Sequence, residues 1–570
     1  MKNIIQLILT VFVIAGCANK EPNKDLSEEF TLIHNGEIIT MENAPGSMVE
    51  SVVTKDELIV YTGLLEEAKK RYPNAQSIDL KGKTMIPGLI EPHLHPGLGA
   101  LLLPMHWLTP EDWDLGSVKK VKATKSKSEF LSNVQAITKD WKPGDDVVKI
   151  FGYSQFFHGD IHKKELDSVT SEVPIVIFHR SFHENIFNSA GLTYYGYNRE
   201  NMDDHQADFD KGIVVEAFQI LDFIYKRYAP RITVEQWADG INQTLTLLKE
   251  NGVTTAHDPG GSMGTTPEQM VKTYEIFDQE PVRCFLSVDV RHSFATGGIE
   301  ATLASIEELS KKNTKNIMIN KNQVKLFLDG GMFSQAMVLS EPYTDGHEGE
   351  YITEPDALYE LWKPFWEKRI SAHIHVNGDA AVDELFIIIK KLQKESPWSE
   401  HRTVFEHFGV SRPEQTVTMK ELGISASVNV YYPVALSDNF TETGAGPASR
   451  SHYFSRNASL VANDIRATYH SDFPMAPPSP LYLAWCAINR VTQSGNVVGP
   501  EERVTPYQAL KAITIDAAYN IQQENNIGSI TVGKIADFTI LKENPLTVDP
   551  LKFKDIKVEA VVFEGQFFNN

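Results

Sequence analysis

A short run near the start of the chain ends in two histidines whose spacing suits metal binding. Residues 85–90 are apolar and contain Pro87 and Gly88, which is typical of a buried strand with turn signals, and His93 and His95 follow. Residues two apart in an extended chain project from one face, so the two imidazoles could bind one ion. Zinc is commonly held by histidine nitrogens. The alternative interpretation is a loop without a metal, because short motifs often occur by chance.

Four more side chains able to bind a metal or transfer a proton occur at or just after the carboxyl ends of later predicted strands: Lys325, His375, His407 and Asp472. A carboxylate can ligate a metal and also take a proton from metal-bound water. A single strand-end histidine is more often a hydrogen-bonded structural residue than a ligand. The six residues therefore form one site only if their strands close into a barrel.

Lys325 lies in an apolar strand, residues 324–328, where a charged ammonium is costly to bury. Burial favours the neutral amine, and a neutral lysine can react with carbon dioxide to give a carbamate that bridges two cations. The alternative is an interior lysine paired with an acid such as Asp329. The residues alone leave both interpretations open.

Strands alternate with helices through the middle of the chain, which is the pattern of a parallel α/β fold. After the strand that precedes His93, strands are predicted over residues 253–257, 282–288, 323–328, 370–375, 403–407, 424–429 and 465–470. Helices are predicted over residues 233–251, 355–368, 380–394 and 413–422, the first with Thr233 as N-cap. Eight such units predict a (β/α)8 TIM-type barrel over residues 86–525, with its chemistry at the carboxyl ends of the strands.

The remaining segments predict two additions to the barrel. Residues 96–231 are too long for one β/α unit and contain strand candidates at 147–151 and 175–179, so we expect an inserted α/β subdomain over the barrel mouth. Short β-like runs with turn residues occupy 30–85 and 526–570. We therefore expect a composite β-sandwich built from both ends of the chain.

The first residues predict export. Residues 1–16 combine Lys2 with an apolar run over 4–14, which is typical of a secretory signal. Residues 14–17 resemble a bacterial lipobox, which predicts cleavage before Cys17, lipid attachment to its thiol and a tether over 17–29. The alternative is an ordinary signal peptide or anchor with an incidental cysteine. We expect a protein lipid-anchored to a bacterial membrane on its periplasmic or cell-surface side.

Charge and cysteine content narrow the choice of partners. The 570 residues carry 54 basic and 75 acidic side chains, a net charge of −21 that repels nucleic acid. Cys284 and Cys486 are too few for a disulfide framework or a cysteine-rich zinc site. The expected partner is a small molecule, and self-association stays open.

Several motifs together carry a family resemblance. They are Pro87-Gly88 with His93-x-His95, Val324-Lys325-Leu326-Phe327-Leu328-Asp329-Gly330, His375-x-x-Gly378-Asp379-x-Ala381, Glu406-His407, Ser471-Asp472-x-Pro474 and Gly528-Ser529-x-x-x-Gly533-Lys534-x-Ala536-Asp537. From about residue 30 to residue 568 the chain resembles the amidohydrolase superfamily. Within it, the chain is most similar to the branch called amidohydrolase family 3, which includes N-substituted formamide deformylase.

The resemblance implies a role for each of the six residues. It implies that His93, His95, His375 and His407 are metal ligands, that Lys325 is a bridging N6-carboxylated lysine, and that Asp472 is both a ligand and the catalytic carboxylate. It also implies zinc or a similar divalent metal, as one or two ions. The implied reaction is hydrolysis of an amide-like carbon–nitrogen bond by metal-activated water, with Asp472 as proton shuttle.

Substrate contacts are less sharply indicated. His183 and Asn188 match a segment that the branch usually has and are predicted to contact substrate, although the packing of a helix start explains Asn188 equally well. Two positions depart from the branch: Glu91 replaces its usual Asp, and His470 its usual Gly. His470 is predicted to contact substrate by narrowing the pocket, or to add a metal ligand.

Three functions remain open on these grounds. The first is hydrolysis of a linear amide of the N-formyl or N-acyl amine type. The second is hydrolysis of a cyclic amide or an ester at the same site. The third is a membrane-anchored ligand-binding protein whose barrel is not catalytic. An intact ligand set around an open cavity favours the enzymes.

Overall fold

The computed structural model describes residues 30–42, 46–215, 218–261, 266–444 and 446–569. The predicted signal peptide (1–16), the tether (17–29) and the predicted lipidation site Cys17 lie outside these residues, so they stay predictions. Across the described ranges, no helix is both long enough and apolar enough to cross a membrane.

Eight parallel strands form the central sheet, in the order predicted from the sequence. In chain order they are Leu89–Glu91, Val253–Pro259, Arg283–Asp289, Ile317–Phe327, Ser371–Val376, Val404–His407, Ser425–Val428 and Ala467–Tyr469. Each strand pairs with the next, and all pairs are parallel. The eight-stranded α/β barrel expected from the alternating pattern is confirmed.

Helices connect most of these strands on the outside of the barrel. Those that follow the second to sixth strands are Pro267–Phe277, Arg291–Ser310, Pro355–Glu367, Asp379–Glu395 and Pro413–Leu422, and Val234–Glu250 precedes the second strand. The last part of the chain adds Tyr432–Thr443, Ala448–Ser451, Asn457–Ala462, Pro480–Asn489, Pro506–Ala512 and Ile515–Asn520, with 3₁₀ turns at Pro500–Glu502 and Pro550–Asp555. Thr233 caps Val234–Glu250 as predicted, by accepting a hydrogen bond from Gln236 N.

The apolar run before His93 forms two strands, where the sequence predicted one. Thr84–Pro87 pairs with the C-terminal strand Phe538–Leu541, and only Leu89–Glu91 belongs to the barrel. The chain passes between the two sheets at Gly88, whose amide donates to Asp537 O and where a Cβ would lie 2.1 Å from Thr254 Oγ1. The predicted boundary at residues 85 and 86 therefore moves to Gly88, and the two histidines follow the barrel strand in a segment without regular secondary structure.

The composite domain is built from both ends of the chain. Its strands are Phe30–Ile39, Met48–Lys55, Leu58–Gly63, Gln76–Asp79, Thr84–Pro87, Phe538–Leu541, Val558–Phe563 and Gln566–Asn569, with one helix at Leu65–Arg71. The strands are hydrogen-bonded in one continuous sheet. The sheet curls because Ile59 N donates to Lys534 O and Ala536 N to Glu57 O. Its two halves thereby face a shared apolar core that includes Ile33, Val52, Phe538 and Val562.

The insertion folds around a sheet of its own. The order across this sheet is Ala207–Asp208, Ile213–Val215, Glu184–Phe187, Ile175–His179, Val148–Tyr153 and His106–Trp107, and a separate hairpin pairs Trp113–Leu115 with Lys119–Val121. Its helices are Pro96–Leu102, Lys127–Thr138, Gln155–His158, Lys163–Val169 and Ser189–Tyr194, followed by a π-helical segment at Gln219–Tyr228 and a 3₁₀ turn at Ala229–Arg231. Arg180 of this insertion donates to Met475 O, three residues after Asp472. The insertion therefore contacts the chain at the mouth of the barrel.

A buried ion pair joins the barrel to the composite sheet. Arg283, in the third barrel strand, donates to the carboxylate of Asp537 and also to Glu564. The side chains of Arg283 and Asp537 are each 3% exposed. Removing one member of a buried pair leaves the other charge without compensation.

We expect Arg283→Met to lower the free energy of unfolding by about 3 kcal/mol or more, because the Asp537 carboxylate stays buried without its partner. Urea unfolding followed by fluorescence measures the change. The matched control is Arg199→Met, which breaks the exposed Arg199–Asp210 pair, and it should cost less than about 1 kcal/mol. Equal effects of the two substitutions would contradict the structural role of the buried pair.

Candidate metal centre at the barrel mouth

Backbone hydrogen bonds bring the segments after the first and eighth barrel strands together. Asp472 N donates to His93 O over 3.0 Å, and His95 N donates to Phe473 O over 3.1 Å. Asp472 has a φ of 52°, in the left-handed region, which turns its side chain sharply at the strand end. Its carboxylate thereby lies beside both histidines.

Asp472 lies between the predicted ligands. Its Oδ1 is 3.5 Å from His93 Nε2 and 3.3 Å from His95 Nε2, and its Oδ2 is 3.8 Å from His407 Nδ1. The side chains of Asp472 and His95 keep 16% and 25% exposure, whereas His93 is buried. His93, His95 and Asp472 each offer one ligand atom, and these three atoms lie within 4.8 Å of one another. They can hold an ion that a small molecule reaches.

Two carboxylates hold these histidines from behind. Glu406 is completely buried and accepts hydrogen bonds from His93 Nδ1 over 2.6 Å and from His373 Nδ1 over 2.5 Å. Asp258 Oδ1 accepts from His95 Nδ1 over 2.8 Å. A carboxylate on the far nitrogen fixes the ring and its tautomer, so Nε2 of His93 and Nε2 of His95 are left for a metal.

Lys325 reaches the same region from the fourth strand. Its side chain is 1% exposed, and Nζ has no hydrogen-bond partner among the described residues. The predicted alternative of a pair with Asp329 is wrong, because Asp329 accepts instead from the backbone amides of Val338, Asn377 and Gly378. Burial lowers the pKa of Lys325, against the attraction of Glu406 and Asp472. An unsatisfied buried amine fits a lysine that is carboxylated or bound to a metal.

His375 and His407 lie side by side, but unlike His407, His375 belongs to no group of candidate ligands whose atoms lie within 4.8 Å of one another among the described residues. They follow each other on the fifth and sixth strands, and their ring centroids are 4.4 Å apart. Asn377 Nδ2 lies 3.0 Å from His375 Nε2. Burial is the main reason that the pKa values of His93, His375 and His407 fall well below their usual value. All three are therefore neutral near pH 7, as metal ligands must be.

His95 differs from these three. Burial alone would lower its pKa, but hydrogen bonds to Asp258 and Asp472 outweigh that effect and raise it to about 9. Two carboxylates therefore favour positive charge at this histidine, and a bound metal ion would supply that charge in place of a proton.

His470 is not exposed at the barrel mouth. It is completely buried, with Nδ1 2.7 Å from Ser427 Oγ and Nε2 3.2 Å from His407 Nδ1. Its neighbours Ser427 and Glu406 are also buried in the barrel interior. Both of its ring nitrogens have a partner within hydrogen-bond distance, so neither is left for a substrate and the predicted substrate contact is not made. His470 lies behind the other histidines instead. His470, His93 and His407 form a second group whose ligand atoms lie within 4.8 Å.

The two predicted substrate contacts in the insertion, His183 and Asn188, lie in different environments. His183 is partly exposed, and Phe182 before it has a φ of 63°, a conformation that is rare for a bulky residue. A Cβ on Gly331, in the loop after the Lys325 strand, would lie 3.7 Å from His183 Nε2. His183 therefore reaches the barrel mouth, and its substrate contact stays a proposal.

Asn188 is a structural residue. It caps the helix Ser189–Tyr194, its Oδ1 accepts from Ile175 N and Gly191 N, and its Nδ2 donates to Thr170 O and Val173 O. Because it is buried and both ends of its amide are engaged, it has nothing left to offer a substrate. The helix-start alternative explains this position.

The sequence did not reveal the residues that orient the ligands. Glu406 directly precedes His407, and Asp258 directly follows a histidine at the end of the second strand. Neither has a spacing from the predicted ligands that marks it in the sequence as a residue of the metal site. Asn429 was also missed. It is completely buried just after the seventh strand, its Oδ1 accepts from Tyr431 N, and its Nδ2 has no partner among the described residues.

A parallel eight-stranded barrel with histidines, a buried lysine and an aspartate at its strand ends defines a metal-dependent hydrolase. The family model described as the amidohydrolase family matches residues 76–568, and the chain belongs to this family. It is accordingly a metal-dependent hydrolase that acts on carbon–nitrogen bonds other than peptide bonds.

Relatives match over almost the whole length. YtcJ of Bacillus subtilis (strain 168) is 25% identical over 556 residues, which cover 94% of this chain and 98% of that protein. N-substituted formamide deformylase of Arthrobacter pascens is 21% identical over 562 residues, covering 94% and 97%. The crystal structure of an uncharacterized metal-dependent hydrolase from Pyrococcus horikoshii OT3 has a TM-score of 0.69 at 21% identity, over 92% of this chain and 99% of that one. The last similarity supports the fold.

We expect Glu406→Gln to weaken zinc binding by about 10- to 100-fold. Gln keeps one acceptor oxygen but replaces the other with an NH2 group, which cannot accept, so either His93 or His373 loses its partner. Chelator competition on the purified protein measures the affinity. Glu308→Gln, at an exposed surface position, is the control and should bind zinc as the wild type does. Unchanged affinity in Glu406→Gln would show that this carboxylate does not position a ligand.

Proposed function

We propose that the protein hydrolyses the carbon–nitrogen bond of a linear amide of the N-formyl or N-acyl amine type. The observation that supports this most directly is the position of Asp472, within 3.3–3.8 Å of three histidine nitrogens and with a side chain that is still 16% exposed. The full-length similarity to an N-substituted formamide deformylase favours a linear amide over a cyclic one.

His93, His95, Lys325, His375, His407 and Asp472 would hold one or two zinc-type ions, with Lys325 carboxylated if it bridges two of them. When bound, such an ion polarises a carbonyl and lowers the pKa of a water to about 7. Asp472 takes a proton from the attacking water and delivers it to the leaving nitrogen. Its partial exposure lets both groups reach it.

Asn429 is placed to orient the scissile bond. Ser427 points into the barrel, where its Oγ lies 2.7 Å from His470 Nδ1, and side chains two apart along a strand share a face. Asn429 therefore also points inward, at the mouth, and its backbone amide donates to His407 O. Since Tyr431 N occupies Oδ1, the unpaired Nδ2 is the end available to donate to the acyl oxygen of the substrate.

The decisive experiment loads the purified protein with zinc and offers it N-formyl amines, N-acyl amines, cyclic amides and esters. We expect turnover of one of the first two classes, and we expect Asp472→Asn to lower kcat by at least about 10²-fold because the proton shuttle is lost. Asp464→Asn, which alters an exposed carboxylate, is the control and should keep full activity.

The other candidate functions are distinguished by the same screen. Turnover confined to cyclic amides or esters would replace the linear-amide proposal with the second function. Binding of zinc and amides without any turnover would point to the third function, a non-catalytic barrel.

A separate prediction concerns Asn429. We expect Asn429→Ala to lower kcat/KM by about 10²-fold, as for the loss of a hydrogen-bond donor to a reacting oxygen. Asn429→Asp keeps the acceptor for Tyr431 N but removes the donor, so it should lose as much. Wild-type kcat/KM in Asn429→Asp, with zinc content unchanged, would rule out this role.

A further inference from the structure

His470 is an unused imidazole inside the site. It is 0% exposed and follows the last residue of the eighth barrel strand. Its ring centroid lies 4.5 Å from that of His93 and 5.1 Å from that of His407. The proposed mechanism assigns no role to His470, although its ring packs against two other imidazoles in the barrel interior.

The spacing of these three rings suits coordination. His470 Nε2 lies 3.2 Å from His407 Nδ1, and two nitrogens bound to one tetrahedral zinc ion are about 3.3 Å apart. The candidate ligand atoms of His93, His407 and His470 all lie within 4.8 Å of one another. A small contraction would therefore bring all three to bonding distance of one ion.

The far side of the His470 ring is anchored as that of a ligand would be. Nδ1 lies 2.7 Å from Ser427 Oγ and 3.6 Å from Glu406 Oε2, the same carboxylate oxygen that accepts from His93 Nδ1. This one buried carboxylate oxygen therefore faces the Nδ1 atoms of two rings. With Nδ1 anchored, the Nε2 atom of His470 is directed at His407.

We propose that His470 Nε2 is a metal ligand, and that it forms with His93 and His407 a three-histidine binding set that is an alternative to the one formed by His93, His95 and Asp472, because both sets use Nε2 of His93. The proposal rests on the proposed function, because it concerns the same centre. A metal bound by this set would be shielded from solvent, since all three side chains are at most 3% exposed. Such a set takes a divalent ion with an affinity for imidazole nitrogen, such as zinc or cobalt.

The test compares the full-length protein with His470→Asn after loading with zinc or with Co²⁺. An Asn side chain can keep the contact to Ser427 near the Nδ1 position but has no atom where Nε2 lies. We expect zinc affinity, measured by chelator competition, to fall at least 10-fold, and the visible bands of bound Co²⁺ to shift. X-ray absorption should count one imidazole fewer per chain than in the wild type.

His401→Asn removes another buried histidine, one that bonds Thr403 Oγ1 and Leu422 O, and it should leave all three readouts unchanged. If His470 only orients His407 by a hydrogen bond, affinity falls but the imidazole count does not, and the proposal is overturned. Unchanged affinity and spectra overturn it as well. If His470→Asn does not fold, anomalous diffraction from zinc-loaded wild-type crystals decides it: an ion about 2.1 Å from Nε2 supports the proposal and any longer separation rejects it.

Failure of this inference is distinguishable from failure of the proposed function. A wild-type protein that binds zinc and hydrolyses amides, with a His470→Asn variant that binds zinc equally, would refute only the role of His470. A wild-type protein that binds no divalent ion would refute both.

Discussion

The site depends on the closure of the barrel between its last and first strands. In the hydrogen-bonded order, Leu89–Glu91 and Ala467–Tyr469 stand at opposite ends of the sheet. The backbone bonds between Asp472 and His93, and between His95 and Phe473, join the segments that follow them. The closure is reinforced by Glu91, whose buried Oε1 accepts from Ser471 N. Burial raises the pKa of Glu91 to about 8, so it joins the two ends largely as a neutral acid near pH 7.

Buried carboxylates fix the orientation of the histidines in this site. Glu406 has no exposure and contacts His93, His373 and His470, while Asp258 contacts His95. These acids fix which ring nitrogen faces the centre, and they supply negative charge where a cation is expected. Burying a carboxylate removes its hydration, and this cost is offset only when the surrounding imidazole rings donate hydrogen bonds to it. The orientations of the candidate metal ligands are therefore set by buried carboxylates that lie behind them.

Much of the fold could be predicted because its periodicity is local. All eight barrel strands and the capped helix after Thr233 follow from apolar runs, turn residues and caps in the sequence. The split at Gly88 could not be seen, because the apolar run is continuous and only the distant Asp537 and Thr254 decide where the chain changes sheets. Asn188 and His470 show the same limit. Their residue types suited a site, but their roles depend on neighbours supplied by other elements, Ile175 for the first and Ser427 for the second.

The composite sheet has a consequence for how the protein is made. Thr84–Pro87 pairs with Phe538–Leu541, which is synthesised some 450 residues later. Until then, Thr84–Pro87 lacks this partner strand. The barrel connects directly to this sheet through Gly88. The small domain can therefore be completed only once residues 538–569 have been synthesised, and a chain that lacks them leaves an open β edge to associate with other molecules.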